Sequence, residues 1–288
     1  MLKPRLIGIV LVRDSIAVQS IGFNRYLPLG RPTIAVEYLD RWGADEIVLL
    51  DILAGSTQRS LDPGVVRQCA ELCRTPLTVG GGVRDTESAS ALLAAGADKI
   101  CVNSAAHSNP SLVGNLSARF GEQCVVVSVD VRKQGSGWNA YALGGSSDIP
   151  TSLGEILAQT QESGAGEILL NSIDRDGSRL GYDLELIRYC ARNISIPLIA
   201  AGGAGHPRHF NEALEAGASA VAAANMLHYT EHSVIVAKRY MQISGRATRI
   251  DSPASYPGAS YLDSGRLAMF DETRLDSERF HRLPPDPA

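Results

Sequence analysis

The chain has 288 residues, 44% of them hydrophobic, and a net charge of −4. That length and apolar content suit one α/β domain of barrel size, and the slight acidity excludes nucleic acid or an anionic membrane as a general partner. No apolar run approaches the ~20 residues that span a bilayer, no leader peptide is read at the start, and the five cysteines are odd in number with several inside apolar runs, so reduced thiols and a cytoplasmic location are expected.

The first predicted strand covers 5–12, in "RLIGIVLV", and the charged pair Arg13 and Asp14 follows it. Short β-branched runs recur at 46–51, 76–80, 98–102, 124–131, 167–171, 197–201 and 219–223. Ala/Leu-rich amphipathic segments fill the intervals. Two of these segments open on a cap residue and proline, Asp62-Pro63 and Asn109-Pro110. Proline suits the first helical position because its missing N–H would have no partner there. Eight strands alternating with helices predict an α/β fold, a single (β/α)8 TIM barrel over 1–245. Residues 246–288 are rich in Pro, Ser and charge, and predict a mobile tail, partly helical near 271–280.

The barrel repeats itself. "WGADEIVLLD" (42–51) parallels "SGAGEILLNS" (163–172), and "TPLTVGGGVRDTESASALLAAGAD" (75–98) parallels the stretch from Ile196 to Ser219. Gly43/Gly164, Glu46/Glu167, Pro76/Pro197, Gly81/Gly202, Gly82/Gly203 and Gly96/Gly217 all share an offset of 121 residues. A constant offset across several elements predicts duplicated half-barrels. The segments 7–14 and 125–133 are then equivalent first strands, and in the second a carboxylate, Asp130, sits where the first has only apolar side chains.

Chemistry in such a barrel sits at the C-terminal ends of the strands. "VGGGV" (79–83) and "CVNSAA" (101–106) end two strands there, and "AAGGAG" (200–205) and "AAANML" (222–227) are their partners in the second half. Glycine turns let a phosphate approach the backbone, and the following helix offers free N–H groups. Gly81, Gly82, Asn103 and Ser104 on one side, and Gly202, Gly203 and Asn225 on the other, would hold a ligand with a phosphate at each end; the alternative is tight turns without a ligand. The polar stretch "SIDRDGSRLGYD" (172–183) predicts a long loop over the same face, in which Asp174 and Asp176 cap or bind and Gly177 permits a tight turn. At the opposite end Arg5, Glu46, Lys99 and Glu167 begin their strands with a charge, a pattern that by itself reads as solvated ends. No metal or cofactor is expected. Cys69/Cys73 and His228/His232 have i,i+4 spacing but lack a third ligand, and read as core and helix surface respectively.

Together "VGGGVRD", "GADKICVNSAA", "SVDVRK", "GAGEILLNSIDRDGSRLGYD" and "AAGGAG" resemble the cyclase subunits of imidazole glycerol phosphate synthase, the HisF family. The resemblance covers roughly residues 2–245. It implies a HisH-like glutaminase partner at the N-terminal barrel face, and ammonia that travels through the barrel to a bisphosphorylated substrate. By resemblance Asp130 is one of two catalytic acids. Arg5, Glu46, Lys99 and Glu167 become the ammonia gate instead of solvated ends, and Asp98 falls at the glutaminase interface. Gly82 and Asn103 match one phosphate site, and Gly177 and Gly203 the other.

The chain departs from this pattern at the catalytic end. Leu11 stands where the resemblance implies the other acid, Gln19 where it implies a substrate-holding lysine, Ser104 and Asn171 where it implies threonines, and Asn225 where it implies a serine. Leucine cannot transfer a proton, and Asp51 and Asp176 are the carboxylates left to substitute. The pattern resembles a paralogous branch associated with surface-sugar genes, whose members work with a glutaminase and a separate sugar amidotransferase to build acetamidino groups. Two alternatives stay open: an authentic cyclase of histidine biosynthesis, and a non-catalytic scaffold that activates the glutaminase.

Overall fold

The computed structural model describes residues 3–55, 57, 59–109 and 111–268. The first strand, β1 (Arg5–Arg13), turns through Asp14 and Ser15 into antiparallel β2 (Ile16–Ile21) and β3 (Arg25–Gly30). Four strands follow: β4 (Glu46–Asp51), β5 (Leu77–Gly80), β6 (Lys99–Val102) and β7 (Val125–Gln134). Strand β7 turns in the same way into β8 (Gly137–Ala142) and β9 (Ser147–Asp148). The last three are β10 (Glu167–Ser172), β11 (Leu198–Ala201) and β12 (Ala220–Ala223). Strands β1, β4, β5, β6, β7, β10, β11 and β12 pair in parallel in that order, and β12 returns to β1. This is the closed eight-stranded (β/α)8 TIM barrel that the alternation predicted.

Period-2 alternation sorts each strand between two apolar layers. On β1, Leu6, Val10 and Val12 face outward into the layer beneath the helices, where they join Val36, Leu39, Leu92 and Phe210. Ile7 and Ile9 face inward and meet Val48, Val126, Leu169, Ile199, Ala220 and Ala222 along the barrel axis. The helices start where their caps dictate. Asp62 accepts the amide of Gly64 at 2.8 Å ahead of the helix Pro63–Leu72. Pro110 lies outside the described residues, and the helix after it is Ser111–Phe120. Cys69 is fully buried, as the core reading expects, and Cys73 is half-buried.

The halves repeat in backbone as well as in sequence. Gly43 and Gly164 have φ of +85° and +86°, and Gly96 and Gly217 have +111° and +112°. Register aligns the first strands independently of sequence. Ile7 lies opposite Glu46, and Val126 lies opposite Glu167.

Two features differ from the sequence reading. The first strand of each half runs past its predicted end into a hairpin over the C-terminal face, where loops were expected. Both hairpins turn on two residues, and Asp14 (φ 49°), Ser15 (φ 63°) and Gly135 (φ 57°) supply the positive φ such turns need. The other feature concerns the segment after the last helix, Ser233–Ile243. Residues 246–268 contain no helix and lie against that helix; Thr248 is buried. The predicted helix at 271–280 lies outside the described residues.

Candidate functional site

The C-terminal strand ends open into a cavity of about 380 Å³. Its wall includes Gly81, Gly82, Asn103, Ser104, Asp130, Asp176, Gly177, Gly202, Gly203 and Asn225, the residues that sequence placed there. Leu11 and Leu50 line it too, with Phe23 and Tyr26 from the β2–β3 hairpin. Those two aromatics escaped the sequence reading because their segment carries no apolar run, and the turn pair Asp14-Ser15 was its one cue.

Asp130 is the buried carboxyl of the site. Burial pushes its pKa up to about 7, against hydrogen bonds from Asn103 and Asn171 that favour the charged form. The Asn103 amide nitrogen donates to Asp130 Oδ2 at 2.8 Å. Asn171 is the register partner of Asp130 on β10. In the first half the equivalent pair is Leu11 and Leu50 on β1 and β4. The polar pair of one half is therefore an apolar pair in the other.

Two carboxylates on the Leu11 side of the cavity are already engaged. Asp51 Oδ1 accepts the amides of Leu53 (2.9 Å) and Ala54 (3.0 Å), and Arg59 lies 3.6 Å from Oδ2. Asp176 Oδ2 accepts Ser20 Oγ at 2.6 Å and the amide of Phe23 at 3.1 Å, which ties the β2–β3 turn to the loop after β10. Burial raises the pKa of Asp176 against these bonds.

The glycine loops are tight for a reason of packing. At Gly82 (φ +72°) a Cβ would sit 1.8 Å from the carbonyl oxygen of Arg59. At Gly203 (φ +103°) it would sit 2.2 Å from that of Gly181. Each half thus needs glycine where the loop of the preceding strand crosses, whether or not an anion binds. Ser104 Oγ accepts the amide of Leu143 at 2.9 Å, so it also anchors the β8–β9 turn. Asn225 donates to the Ser20 carbonyl at 2.7 Å. Gln19 is turned away, with Oε1 accepting the Tyr229 hydroxyl at 2.5 Å.

At the other mouth the four charges meet. Arg5 lies 2.6 Å from Glu46 and 2.9 Å from Glu167, and Lys99 lies 3.1 Å and 3.3 Å from the same two. Thr78 donates to the second oxygen of Glu46 at 2.7 Å. Burial works against the Arg5 charge, but Glu167 and Glu46 outweigh it and hold its pKa above the ordinary value. The reading of these residues as solvated strand ends is therefore wrong: an inward side chain at a strand start faces the barrel axis. Asp98 is exposed at this rim and accepts the amide of Leu77 at 2.8 Å.

The histidine pair does not share a helix. His228 ends the short helix Asn225–His228 and turns inward, with Nε2 3.0 Å from the carbonyl of Ile9, whereas His232 meets Tyr256. Among the described residues no cluster of His, Cys, Asp or Glu could hold a metal, and no helix is long and apolar enough to cross a membrane.

The family described as "Histidine biosynthesis protein" matches residues 5–233. The imidazole glycerol phosphate synthase subunit HisF of Caulobacter vibrioides is 43% identical over 255 residues, covering 88% of this chain and 98% of that one. A putative imidazole glycerol phosphate synthase subunit hisF2 of Vibrio vulnificus is 40% identical over 257 residues, covering 89% and 94%. The HisF subunit of Streptococcus sanguinis is 40% identical over 252 residues, covering 87% and 100%. With a closed barrel, a duplicated half and this likeness along nearly its whole matched length, the chain belongs to the HisF family.

Proposed function

We propose that this chain is a synthase subunit of a glutamine-dependent amidotransferase, one that conducts ammonia but no longer closes an imidazole ring. A glutaminase docks at the N-terminal face, where Asp98 and the ring of Arg5, Glu46, Lys99 and Glu167 lie. Neutral ammonia passes this ring and travels along the apolar interior; ammonium is held back by the cost of burying an unpaired cation. It emerges beside Asp130, whose pKa of about 7 lets it take or give a proton near neutrality.

The observation that carries this reading is the register at the top of the barrel. Leu11 beside Leu50 occupies the place that Asp130 beside Asn171 holds in the other half. Ring closure moves protons on both sides of a bound substrate, and losing one such acid slows it by about 10²–10⁴. Asp51 and Asp176 are engaged elsewhere, and Arg13 offers a guanidinium, which is no general base. The ammonia is then used by a separate sugar amidotransferase, for acetamidino modification of a nucleotide-linked sugar.

A second reading, an authentic cyclase of histidine biosynthesis, is favoured by the glycine loops, Asn103 and Gly177, all of which line the cavity. Complementation of a histidine auxotroph lacking its own cyclase, with the cognate glutaminase co-expressed, separates the two. The expected result is no robust growth. Robust growth by the unmodified chain overturns the first reading in favour of the second.

A further inference from the structure

Beyond the last helix the chain turns back along it. Ser252 Oγ donates to the Arg41 carbonyl at 3.0 Å, Tyr256 meets His232 at 2.5 Å, and the Tyr261 hydroxyl donates to the Val236 carbonyl at 2.8 Å. It then folds into a tight hairpin, with Tyr261 bridged to Leu267 and the Ala268 amide donating to Ser260 at 2.9 Å. The family model's match ends at residue 233, before this segment begins.

The hairpin rests on His206. The ring Nε2 lies 3.2 Å from the carbonyl oxygen of Asp263. The turn residue Gly265 (φ +75°) comes so close that a Cβ there would lie 2.6 Å from Pro207 and 2.7 Å from His206 Nε2. His206 is also the cap of helix Pro207–Glu215, and its Nδ1 accepts the amide of Arg208 at 2.9 Å. An acceptor at Nδ1 and a donor at Nε2 together require the neutral ring with its proton on Nε2.

The repeat gives this arrangement its meaning. The residue 121 positions earlier is Asp85, the exposed cap of helix Thr86–Ala94, whose Oδ1 accepts the amide of Ser88 at 2.7 Å. Carboxylates are favoured caps and histidine is not. A carboxylate, however, cannot donate to a carbonyl, whereas an imidazole can cap a helix on one edge and hold a hairpin on the other. On the same helix His209 Nδ1 accepts the amide of Gly205 at 3.2 Å, with its ring 5.9 Å from that of His206. The two imidazoles thus stand behind the Gly202–Gly205 loop that lines the cavity.

We propose that His206 is a positioning residue that couples the 260–268 hairpin to the Gly202–Gly205 loop, so that the brace is complete at neutral pH and fails in acid at the helix cap, where Nδ1 can no longer accept Arg208 N although Nε2 still donates to the hairpin. The brace concerns the loop's rigidity and stands whether or not an anion occupies it. Protonation places a hydrogen on Nδ1, which removes the acceptor for Arg208 N and sets a positive charge at a helix N-terminus. The groups facing the ring are Arg208, His209 and Glu212 on its own helix, Tyr240 on the last helix, and Asp263 on the hairpin, with Tyr261 of the hairpin packed edge-on to Tyr240. Burial and Arg208 lower the His206 pKa, against Asp263 and Glu212. The neutral ring is therefore the folded-state form. The brace is complete above the ordinary imidazole pKa of about 6.5 and is lost as pH falls through the lowered value.

Amide hydrogen exchange on the full chain between pH 5 and 8 tests this. In the unmodified protein the Arg208 and Gly205 amides are expected to lose about fivefold or more of their protection in acid. Gly265→Val wedges the hairpin off without touching the loop. It should lower Gly205 protection by about fivefold already at neutral pH. The Leu61 amide, which bonds the Gly81 carbonyl in the first half at 3.1 Å, should be unchanged. His206→Asp copies the first half: Arg208 stays protected and its acid step moves down to the carboxylate range. Unchanged Gly205 exchange in Gly265→Val overturns the proposal, as does an equal loss at Leu61. If Gly265→Val does not fold, His206→Asp decides alone: an Arg208 step persisting at the imidazole pH overturns it.

Discussion

Asp130 trades stability for a usable proton. Its charge is disfavoured by burial and only partly repaid by Asn103 and Asn171, so its pKa rises to about 7. A raised carboxyl pKa favours the folded state only below the ordinary value near 3.9, and that contribution drains away as pH climbs through about 7. Asp130→Asn should therefore exceed the unmodified chain in stability at pH 8, by at most about 4 kcal/mol, with the gap narrowing toward pH 5; urea denaturation at the two pH values measures it. The charge ring at the floor behaves oppositely. Glu46 faces both cations and Thr78 with its side chain 2% exposed. Glu46→Ala leaves Arg5 and Lys99 with Glu167 alone, and should cost about 3–5 kcal/mol in the same assay. The exposed pair Arg41–Glu37 is the contrast: Glu37→Ala should change stability by less than about 1 kcal/mol.

The elements that build the site differ in how far sequence announces them. Barrel strands carry unbroken apolar runs because both faces are buried, and each predicted run lies within a few residues of an observed strand. The hairpins β2–β3 and β8–β9 carry no such signal. Strand β3 has mostly exposed and half-buried residues, and the turn pairs Asp14-Ser15 and Gly135-Ser136 were the available cue. The glycine loops were visible as motifs, yet their reason was not. A Cβ at Gly82 meets the Arg59 carbonyl at 1.8 Å, whereas at Gly135 it meets nothing within 4 Å, although both have positive φ. Gly135→Ala should cost only the strain of a left-handed alanine, about 1–2 kcal/mol. Gly82→Ala must also push a loop aside and should cost clearly more; paired thermal melts compare them.

At the scale of the whole molecule, on the proposed function, a duplicated barrel has kept its conduit and lost one acid of a pair. Leu11→Asp places an acid there at the cost of a half-buried leucine, about 1–2 kcal/mol. With the glutaminase supplied it should give weak growth of the cyclase-deficient auxotroph where the unmodified chain gives none. Failure of both would place the defect elsewhere, Gln19 first, since its side chain is bound to Tyr229. The sequence by itself determined the barrel, the duplication and the contrast between Leu11 and Asp130, because apolar period, glycine position and repeat offset are local properties that survive in one dimension. Only the tertiary structure decided which charges meet and which are spent. Arg5, Glu46, Lys99 and Glu167 lie as far as 162 residues apart and converge because their strands start around one axis. Asp51 and Asp176 were taken up by backbone amides and a serine hydroxyl that no spacing rule links to them. His206 gained its second partner from a hairpin 57 residues away. Partnership across the fold depends on where strand ends and loops stop in space, and that is set by closing the sheet.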